Sequence, residues 1–434
     1  MLKNLIKKFT PDFLLNWYHL SLAHLANFIY GRPSEKLIVI GVTGTNGKST
    51  TANLISKILE EAGFKTAVSS TVSLKIADRE WLNPKKITMP GRFFLQKLLS
   101  DGVKAGCRFA IIESSSEGIM QHRHIGIHYD AMVFTNLTPE HIEAHKGFEN
   151  YKNAKLEYFR HLERSPYKII NEEKIPKGIV INADDRYEAE FTNFKVDKII
   201  TYGKNPTARV RGTDLSASEQ GIRFKAWDTD FSLHLKGVFD FYNALAAIAT
   251  AIGSDVDITV AKKALEKIPN IPGRVELIDE GQNFRVLVDY AYEPEALRQL
   301  YATINNWAHG KIIHVLGGTG GGRDKARRPI LGRLAAGADM VILTTDDPYD
   351  ENPEKIINEV ATGCIEKGKK LNEDLFKITD RREAIAKAFS LAGQNDLVLI
   401  TGKGAEQTMA VKNGYIPWDD REVAREELKK SIKK

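Results

Sequence analysis

An apolar run ends in Gly41-Val42-Thr43-Gly44-Thr45-Asn46-Gly47-Lys48-Ser49-Thr50, and a segment with helical periodicity starts at Ser49. Strand, glycine turn and helix start follow in the order that lets backbone N–H groups and a lysine surround a phosphate. Counted from Val42, the residues fit the pattern G-x-x-x-x-G-K-[ST], with its first glycine displaced to Gly41, one place early, or Gly44, two places late. The physics survives the displacement. Gly44 and Gly47 let the N–H groups turn inward, the helix start adds positive potential, Lys48 reaches terminal phosphates and Ser49 offers a hydroxyl to magnesium. An ordinary strand-to-helix turn has no use for a lysine at this point. Two further groups belong with the turn. Glu113 closes Phe109-Ala110-Ile111-Ile112-Glu113, and Ala131-Met132-Val133-Phe134-Thr135 runs through Asn136-Leu137-Thr138-Pro139-Glu140 into His141. Parallel sheets place ligands at such strand ends, so Glu113 and His141 are candidates to hold a hard divalent cation beside Ser49. Oxygen suits magnesium better than imidazole, which makes the carboxylate the better ligand of the two.

An α/β scaffold must hold these groups in place. At 434 residues the chain exceeds the length at which single cores stop growing, which predicts two or three domains. Residues 1–35 predict a helical segment, because Lys3, Lys7 and Lys8 precede an apolar-rich stretch that Asn16, His19, His24 and Asn27 interrupt. Those polar residues are costly in hydrocarbon. A helix after Pro11, docked on the protein through Leu15, Tyr18, Leu22, Leu25 and Ile29, fits better than membrane insertion or a membrane-surface helix. Residues 36–271 read as a central domain built on a parallel sheet, and Ile271-Pro272-Gly273-Arg274 breaks the chain. Residues 272–434 read as a second, doubly wound, Rossmann-like α/β domain. Its strands are expected at 284–289, 312–316, 340–344 and 397–400, alternating with helices at 294–304, 328–336, 353–367 and 381–391.

Composition removes other classes. A net charge of +6 is small against 62 basic and 56 acidic side chains, so nothing points to nucleic acid, whereas anionic small molecules suit it. Cys107 and Cys364 stand alone and far apart, which argues against a disulfide framework or a metal cluster and for a reducing, cytoplasmic setting.

The motif Gly44 to Thr50, with Glu113-Ser114-Ser115-Ser116, Gln121-His122-Arg123, Asn136 to His141 and Tyr151-Lys152-Asn153-Ala154-Lys155, resembles the central domain of the Mur ligases. These are the ATP-dependent amide-forming enzymes of peptidoglycan precursor synthesis, and folylpolyglutamate synthetase shares the wider fold. The resemblance covers nearly everything after residue 36. It implies ATP, two magnesium ions held by Ser49, Glu113, His141 and Lys155, and a carbamylated Lys155. Residues alone would leave that lysine on a solvated helix face. Catalysis would fall to Lys48, Glu113, His141 and Lys155. Gly44, Thr45, Asn46, Gly47, Lys48, Ser49 and Thr50 would cradle the phosphates, with Asn243 near adenine, Arg274 on the nucleotide and Asp289 at the ribose. Asp240 departs from the family, which usually has Asn there.

Two more motifs resemble the branch that adds the third amino acid to UDP-N-acetylmuramoyl-L-alanyl-D-glutamate. They are Gly320-Gly321-Gly322-Arg323-Asp324-Lys325 and Gly402-Lys403-Gly404-Ala405-Glu406, the latter followed by Trp418-Asp419-Asp420-Arg421-Glu422. The resemblance has Arg323 pairing with a carboxylate of the incoming amino acid, and Gly402 and Glu406 lining its pocket. Enzymes that take meso-diaminopimelate show Asp-Asn-Pro-Arg where this chain has Asp346-Asp347-Pro348-Tyr349. Asp346, Asp347 and Glu406, with no second cation, are expected to favour a side chain ending in a lone ammonium, L-lysine or ornithine. Thr88, Ser115, Gln121 and Arg123 match the residues that meet the sugar-peptide acceptor, although Glu117 stands where the family has His. Only some three dozen residues precede the phosphate loop, where the family carries a sizeable UDP-holding domain. The expected partners are therefore small molecules, acting on a monomer without stable membrane insertion. Competing readings are a folylpolyglutamate-type ligase, a ligase for another carboxylate acceptor, the ATPase subunit of a two-protein amidating complex and a nucleotide switch.

Overall fold

The computed structural model describes residues 12–85, 87–140, 142–322 and 325–432. Two sheets organise the chain. The first has eleven strands. The phosphate-loop strand Ile38–Thr43 lies in its interior between Phe109–Glu113 and Ala131–Phe134, and both pairings are parallel. The register sets Val42 opposite Glu113 and Thr43 opposite Phe134, so one sheet edge carries the loop, the carboxylate and the Thr135–Glu140 turn together. Thr66–Ser69 adds on one side, and Gly178–Asn182, Lys198–Gly203 and Val210–Ser218 on the other, all in parallel. Antiparallel strands finish both edges: Ser73–Ile76 with Arg79–Leu82, and Gly221–Ala226 with Thr229–Leu233.

The interior strands are apolar throughout because helices cover both faces. On one face Lys48–Glu61 packs with the Ala-rich helix Asp240–Gly253, whose small side chains permit close approach over Ile40, Val42, Ile111 and Val180. On the other, Arg92–Lys104 and Phe148–Arg164 bury Leu95, Leu99, Tyr158 and Phe159 against Val39, Ala110 and Ile112.

The second sheet has six strands, of which Arg285–Asp289, Leu397–Thr401, Ile312–Gly318, Met340–Thr345 and Leu375–Lys377 run parallel and Glu276–Ile278 antiparallel. Pro294–Ile304, Arg327–Ala335 and Pro353–Glu366 cover one face, and Arg381–Leu391 with Asp420–Ile432 the other, which makes it doubly wound as expected. Asparagine and aspartate start two of these helices. Asn352 accepts from the Glu354 amide and Asp380 from the Glu383 amide, filling donors that a helix start leaves open.

The leading helix, Asp12–Ile29, forms where the sequence predicts it but docks through a different face. Ala23 and Ala26 are fully buried and Leu22, Asn27 and Tyr30 half-buried, whereas Tyr18, Leu25 and Ile29 are exposed. Small residues win the contact because Asn27 sits against Gly126, closer than a larger side chain there would permit. No helix among the described residues is long and apolar enough to cross a membrane.

Candidate functional site

The phosphate loop is held from behind. The Thr45 amide donates to Asn136 O (2.8 Å), the Asn46 amide to Asn136 Oδ1 (2.9 Å), and Thr135 Oγ1 to Asn46 O (2.7 Å). Gly47 has φ +80°, and a Cβ there would stand 2.1 Å from Asn243 Oδ1, so glycine is required by both backbone and packing. Lys48 Nζ donates to Thr45 O (2.6 Å), which keeps the ammonium at the loop. Ser49 Oγ donates to Glu113 Oε2 (2.7 Å), and the Thr71 amide and hydroxyl complete the carboxylate's shell at 2.6 and 3.0 Å. Strand-end Glu113 therefore meets the helix-start serine, as their register demands.

Lys155 arrives from the helix Phe148–Arg164 and is 2% exposed. Its Nζ donates to Gly44 O (2.6 Å) and stands 4.5 Å from the centre of the Tyr151 ring, whose hydroxyl meets Thr45 Oγ1 at 3.1 Å. Burial pushes this amine well below the usual lysine range, and the Lys48 ammonium pushes it the same way, against the weaker pull of Glu140 and Glu113. A helix lysine that sequence alone would leave in solvent is thus turned into the loop. His141 lies outside the described residues. Its neighbour Glu140 accepts a hydrogen bond from Tyr292 of the second domain (3.1 Å).

Loops of both domains enclose a cavity of about 380 Å³. Thr45 to Thr50, Glu113, Asn136 and Asn243 form one wall, and Arg274, Asp289 to Tyr292 and Gln299 the other. Asn46 Nδ2 bridges the two by donating to Glu293 Oε1 (3.0 Å). Glu293 also caps Pro294–Ile304, accepting from the Glu295 and Ala296 amides. Asp289 accepts from the Val275 and Ala291 amides at 2.8 and 2.7 Å, although burial holds its carboxyl above the ordinary range. Arg274 stacks on Tyr290, 4.3 Å from the ring centre. Asn243 donates to Asp240 Oδ1 (3.0 Å), and burial raises the Asp240 carboxyl to about 7. The phosphate-loop residues and Asn243, Arg274 and Asp289 therefore share one cavity. Asn182, Asp184, Asp185 and Tyr242 line it as well.

The four residues matched to an acceptor also come together. Thr88 Oγ1 meets Thr71 Oγ1 (2.9 Å), next to Met89, whose carbonyl accepts from Arg123. The second Arg123 nitrogen donates to Gln121 Oε1 (2.7 Å), and Ser115 caps the short helix that leads to Gln121. Arg92, absent from the sequence reading, donates to the Gln121 carbonyl. Burial pushes both guanidinium groups below their usual range, and the Arg123 charge adds to the effect on Arg92.

The amino-acid pocket departs from expectation. Arg323 lies outside the described residues. Asp346, Asp347 and Glu406 converge, but not as a patch free of cations. Fully buried Lys403 donates to Asp347 Oδ1 (2.7 Å) and Glu406 Oε2 (2.5 Å), and these carboxylates raise its pKa. Arg381 binds Asp420 through two bonds of 2.8 and 2.6 Å and feels the charges of Asp346 and Asp347. Carboxylates this deep require such partners, because an uncompensated buried charge is too costly. Gly402, at φ +115°, lets Asp346 approach: a Cβ there would stand 2.4 Å from Asp346 Oδ2. No sequence spacing links Arg381 to Asp420, 39 positions away.

The chain is similar to known proteins over most of its length. Residues 42–251 match the family model described as the Mur ligase middle domain, and residues 273–404 that of the Mur ligase glutamate ligase domain. The chain is 37% identical over 421 residues to UDP-N-acetylmuramyl-tripeptide synthetase of Roseiflexus sp., covering 94% of this chain and 82% of that protein. It is 36% identical to UDP-N-acetylmuramoyl-L-alanyl-D-glutamate--2,6-diaminopimelate ligase of Geobacillus kaustophilus, covering 96% and 84%. A solved structure of a ligase of the latter name superimposes with a TM-score of 0.59 at 30% identity, over 91% of this chain and 79% of that one.

Proposed function

Since the chain belongs to the Mur ligase family, whose members are ATP-dependent, ADP-forming acid–amino acid ligases, we propose that it joins a diamino acid to the carboxylate of a UDP-N-acetylmuramoyl dipeptide. The observation that carries this reading is the cavity walled by the phosphate loop on one side and Arg274, Asp289 and Tyr290 on the other. A shared cavity lets one domain hold ATP and the acceptor while the other brings the amine.

In the proposed reaction an acceptor carboxylate oxygen attacks the γ-phosphorus and ADP leaves, giving an acyl phosphate. The amine nitrogen then attacks the acyl carbon, phosphate departs with the former carboxylate oxygen, and the nitrogen loses a proton as the amide forms. Lys48 and the loop amides bear the charge that develops on the transferring phosphoryl group. Asn243, Arg274 and Asp289 position the nucleotide, and Thr88, Ser115, Gln121 and Arg123 the acceptor. Closure of the domains excludes water, which would otherwise hydrolyse the activated acid.

Magnesium fits this donor set. Ser49 Oγ and Glu113 are oxygen donors in mutual contact, and no group of three His, Cys, Asp or Glu side chains among the described residues forms a closed protein cage. A cation that keeps waters and phosphate oxygens as ligands needs no cage. Ser49, Glu113, His141 and a carbamylated Lys155 would hold two ions. When bound, they neutralise the phosphates and the nearby carboxylate. The carbamate is what the family resemblance implies, and burial of the Lys155 amine, which lowers its pKa, supports it, since a neutral amine is the form that takes up carbon dioxide.

For the amino acid, Asp346, Asp347 and Glu406 gather with Arg381 and Lys403 among the described residues. A pocket gathered from acidic side chains favours an ammonium-bearing side chain. With Tyr349 in place of the arginine of diaminopimelate enzymes, we assign L-lysine or ornithine. A cytoplasmic setting accords with Cys107 and Cys364 being free and buried. Purified protein given ATP and a panel of acceptors crossed with lysine, ornithine and meso-diaminopimelate tests the assignment. ADP formation is expected to require the muramoyl dipeptide and to prefer lysine or ornithine; preference for diaminopimelate overturns the amino-acid assignment.

A further inference from the structure

The helix Asp12–Ile29 turns its apolar side outward. Phe28 is 75% exposed and Trp17 70%, and Leu14, Tyr18, Leu25 and Ile29 are each at least 45% exposed. Leu14, Tyr18, Leu25 and Phe28 recur at helical spacing along one side. The inward side carries Ala23, Ala26 and Asn27, packed on the helix Arg92–Lys104 and the Gly126 turn. This is the reverse of the pattern expected for a helix that faces water. Elsewhere in the described chain large exposed apolar side chains are scattered. Scattered exposure needs no explanation, whereas a contiguous patch marks an interaction surface.

Charge identifies what covers it. The eleven residues preceding the helix contain Lys3, Lys7 and Lys8 and no acidic residue. Along the supporting helix, Arg92 lies within electrostatic reach of Tyr18, and Lys97, which pairs with Asp101, within reach of Tyr30. Tryptophan, tyrosine and phenylalanine bordered by basic residues are the chemistry of a helix lying in the headgroup layer of an anionic bilayer. No helix among the described residues is long and apolar enough to cross a membrane. A second copy of the chain would bring the same basic residues against one another.

We propose that Asp12–Ile29 is an interfacial anchor that seats the protein reversibly on an anionic membrane surface. Arg92, on the supporting helix, also donates to the Gln121 carbonyl. This inference is independent of which acceptor and amino acid are used.

Co-sedimentation of the whole chain with vesicles of phosphatidylcholine, with and without phosphatidylglycerol, tests it, alongside sedimentation velocity without lipid. Partition onto phosphatidylglycerol vesicles is expected, weakening as salt rises. Replacing both exposed aromatics (Trp17→Glu with Phe28→Glu) should lower it by more than about tenfold, since each loses the burial of a large apolar side chain. Lys3→Glu with Lys7→Glu and Lys8→Glu should weaken it while leaving the apolar face intact, and nucleotide binding by both variants reports that they fold. No partition onto anionic vesicles, or partition indifferent to the aromatic substitutions, overturns the proposal. So does self-association that the aromatic substitutions abolish in a protein that ignores vesicles, because the face then belongs to a second copy.

Discussion

Lys155 Nζ and the Gly44 carbonyl oxygen lie 2.6 Å apart, joining a buried lysine to the backbone of the phosphate loop. The partner is a carbonyl and not a carboxylate, so nothing in that contact stabilises the ammonium form as an ion pair would. Burial, by lowering the amine's pKa, favours the neutral form that takes up carbon dioxide. Lys155→Ala is expected to lower turnover roughly a hundredfold, the scale of losing one electrostatic element of a catalytic site. A short carboxylic acid added to the variant should restore part of it. Turnover assays with and without the acid, and with bicarbonate removed from the unsubstituted protein, check this; an undiminished Lys155→Ala enzyme contradicts it.

Asn46 and Glu293 tie the two domains together, and Tyr292 with Glu140 does so again. Both contacts form only when the domains meet, so they should support turnover more than nucleotide affinity. Tyr292→Phe removes one hydrogen bond, worth about 1 kcal/mol. Turnover is expected to fall about fivefold while the Kd for ATP shifts less than about twofold. Nucleotide titration and steady-state rates on the same variant separate the two.

The Lys403 cluster makes a stability prediction. Lys403→Met removes the buried ammonium shared by Asp347 and Glu406 and should cost about 3–5 kcal/mol of unfolding free energy. Adding Asp347→Asn should recover part of that, because one of the two carboxylate charges is gone. Urea unfolding of the single and double variants decides, and equal stability of Lys403→Met and the parent contradicts the role.

Asp240 gives the protein a pH dependence of defined sign. Its carboxyl ionises near 3.8 when unfolded but only at about 7 when folded. Between those values the native state keeps a proton that the unfolded chain has lost. Its contribution is therefore complete at pH below 3.8, is lost as pH rises toward 7, and stays constant above. The slope within the window is about 1.4 kcal/mol per pH unit. Asp240→Asn cannot ionise, so the difference in urea stability between parent and variant should change with that slope between pH 4 and 7 and level off above. A difference independent of pH contradicts the assignment.

The sequence was most legible where chemistry and local geometry coincide. The phosphate loop needs its glycines, its lysine and its strand-to-helix context within a dozen residues, and Glu113 ends its strand, so both could be placed without any tertiary information. Helices such as Pro294–Ile304 and Arg381–Leu391 were read to the residue because proline and aspartate fix their starts. Contacts between distant segments were hidden: Arg381 finds Asp420 and Asn46 finds Glu293 only through the fold. The short antiparallel strands at the edges of the large sheet were missed because four-residue runs such as Ser73–Ile76 carry too little alternation to stand out. The leading helix was placed correctly and faced wrongly. Its large apolar residues suggested burial, yet alanines made the closer contact.

Transfer of an acceptor oxygen to phosphate tests the central claim most directly. With both oxygens of the reacting carboxylate labelled as ¹⁸O, a complete reaction with ATP and amino acid should release phosphate carrying one ¹⁸O and leave the other in the amide carbonyl. Unlabelled phosphate formed along with amide would show that no acyl phosphate links the nucleotide cradle to the amine, and would contradict the account.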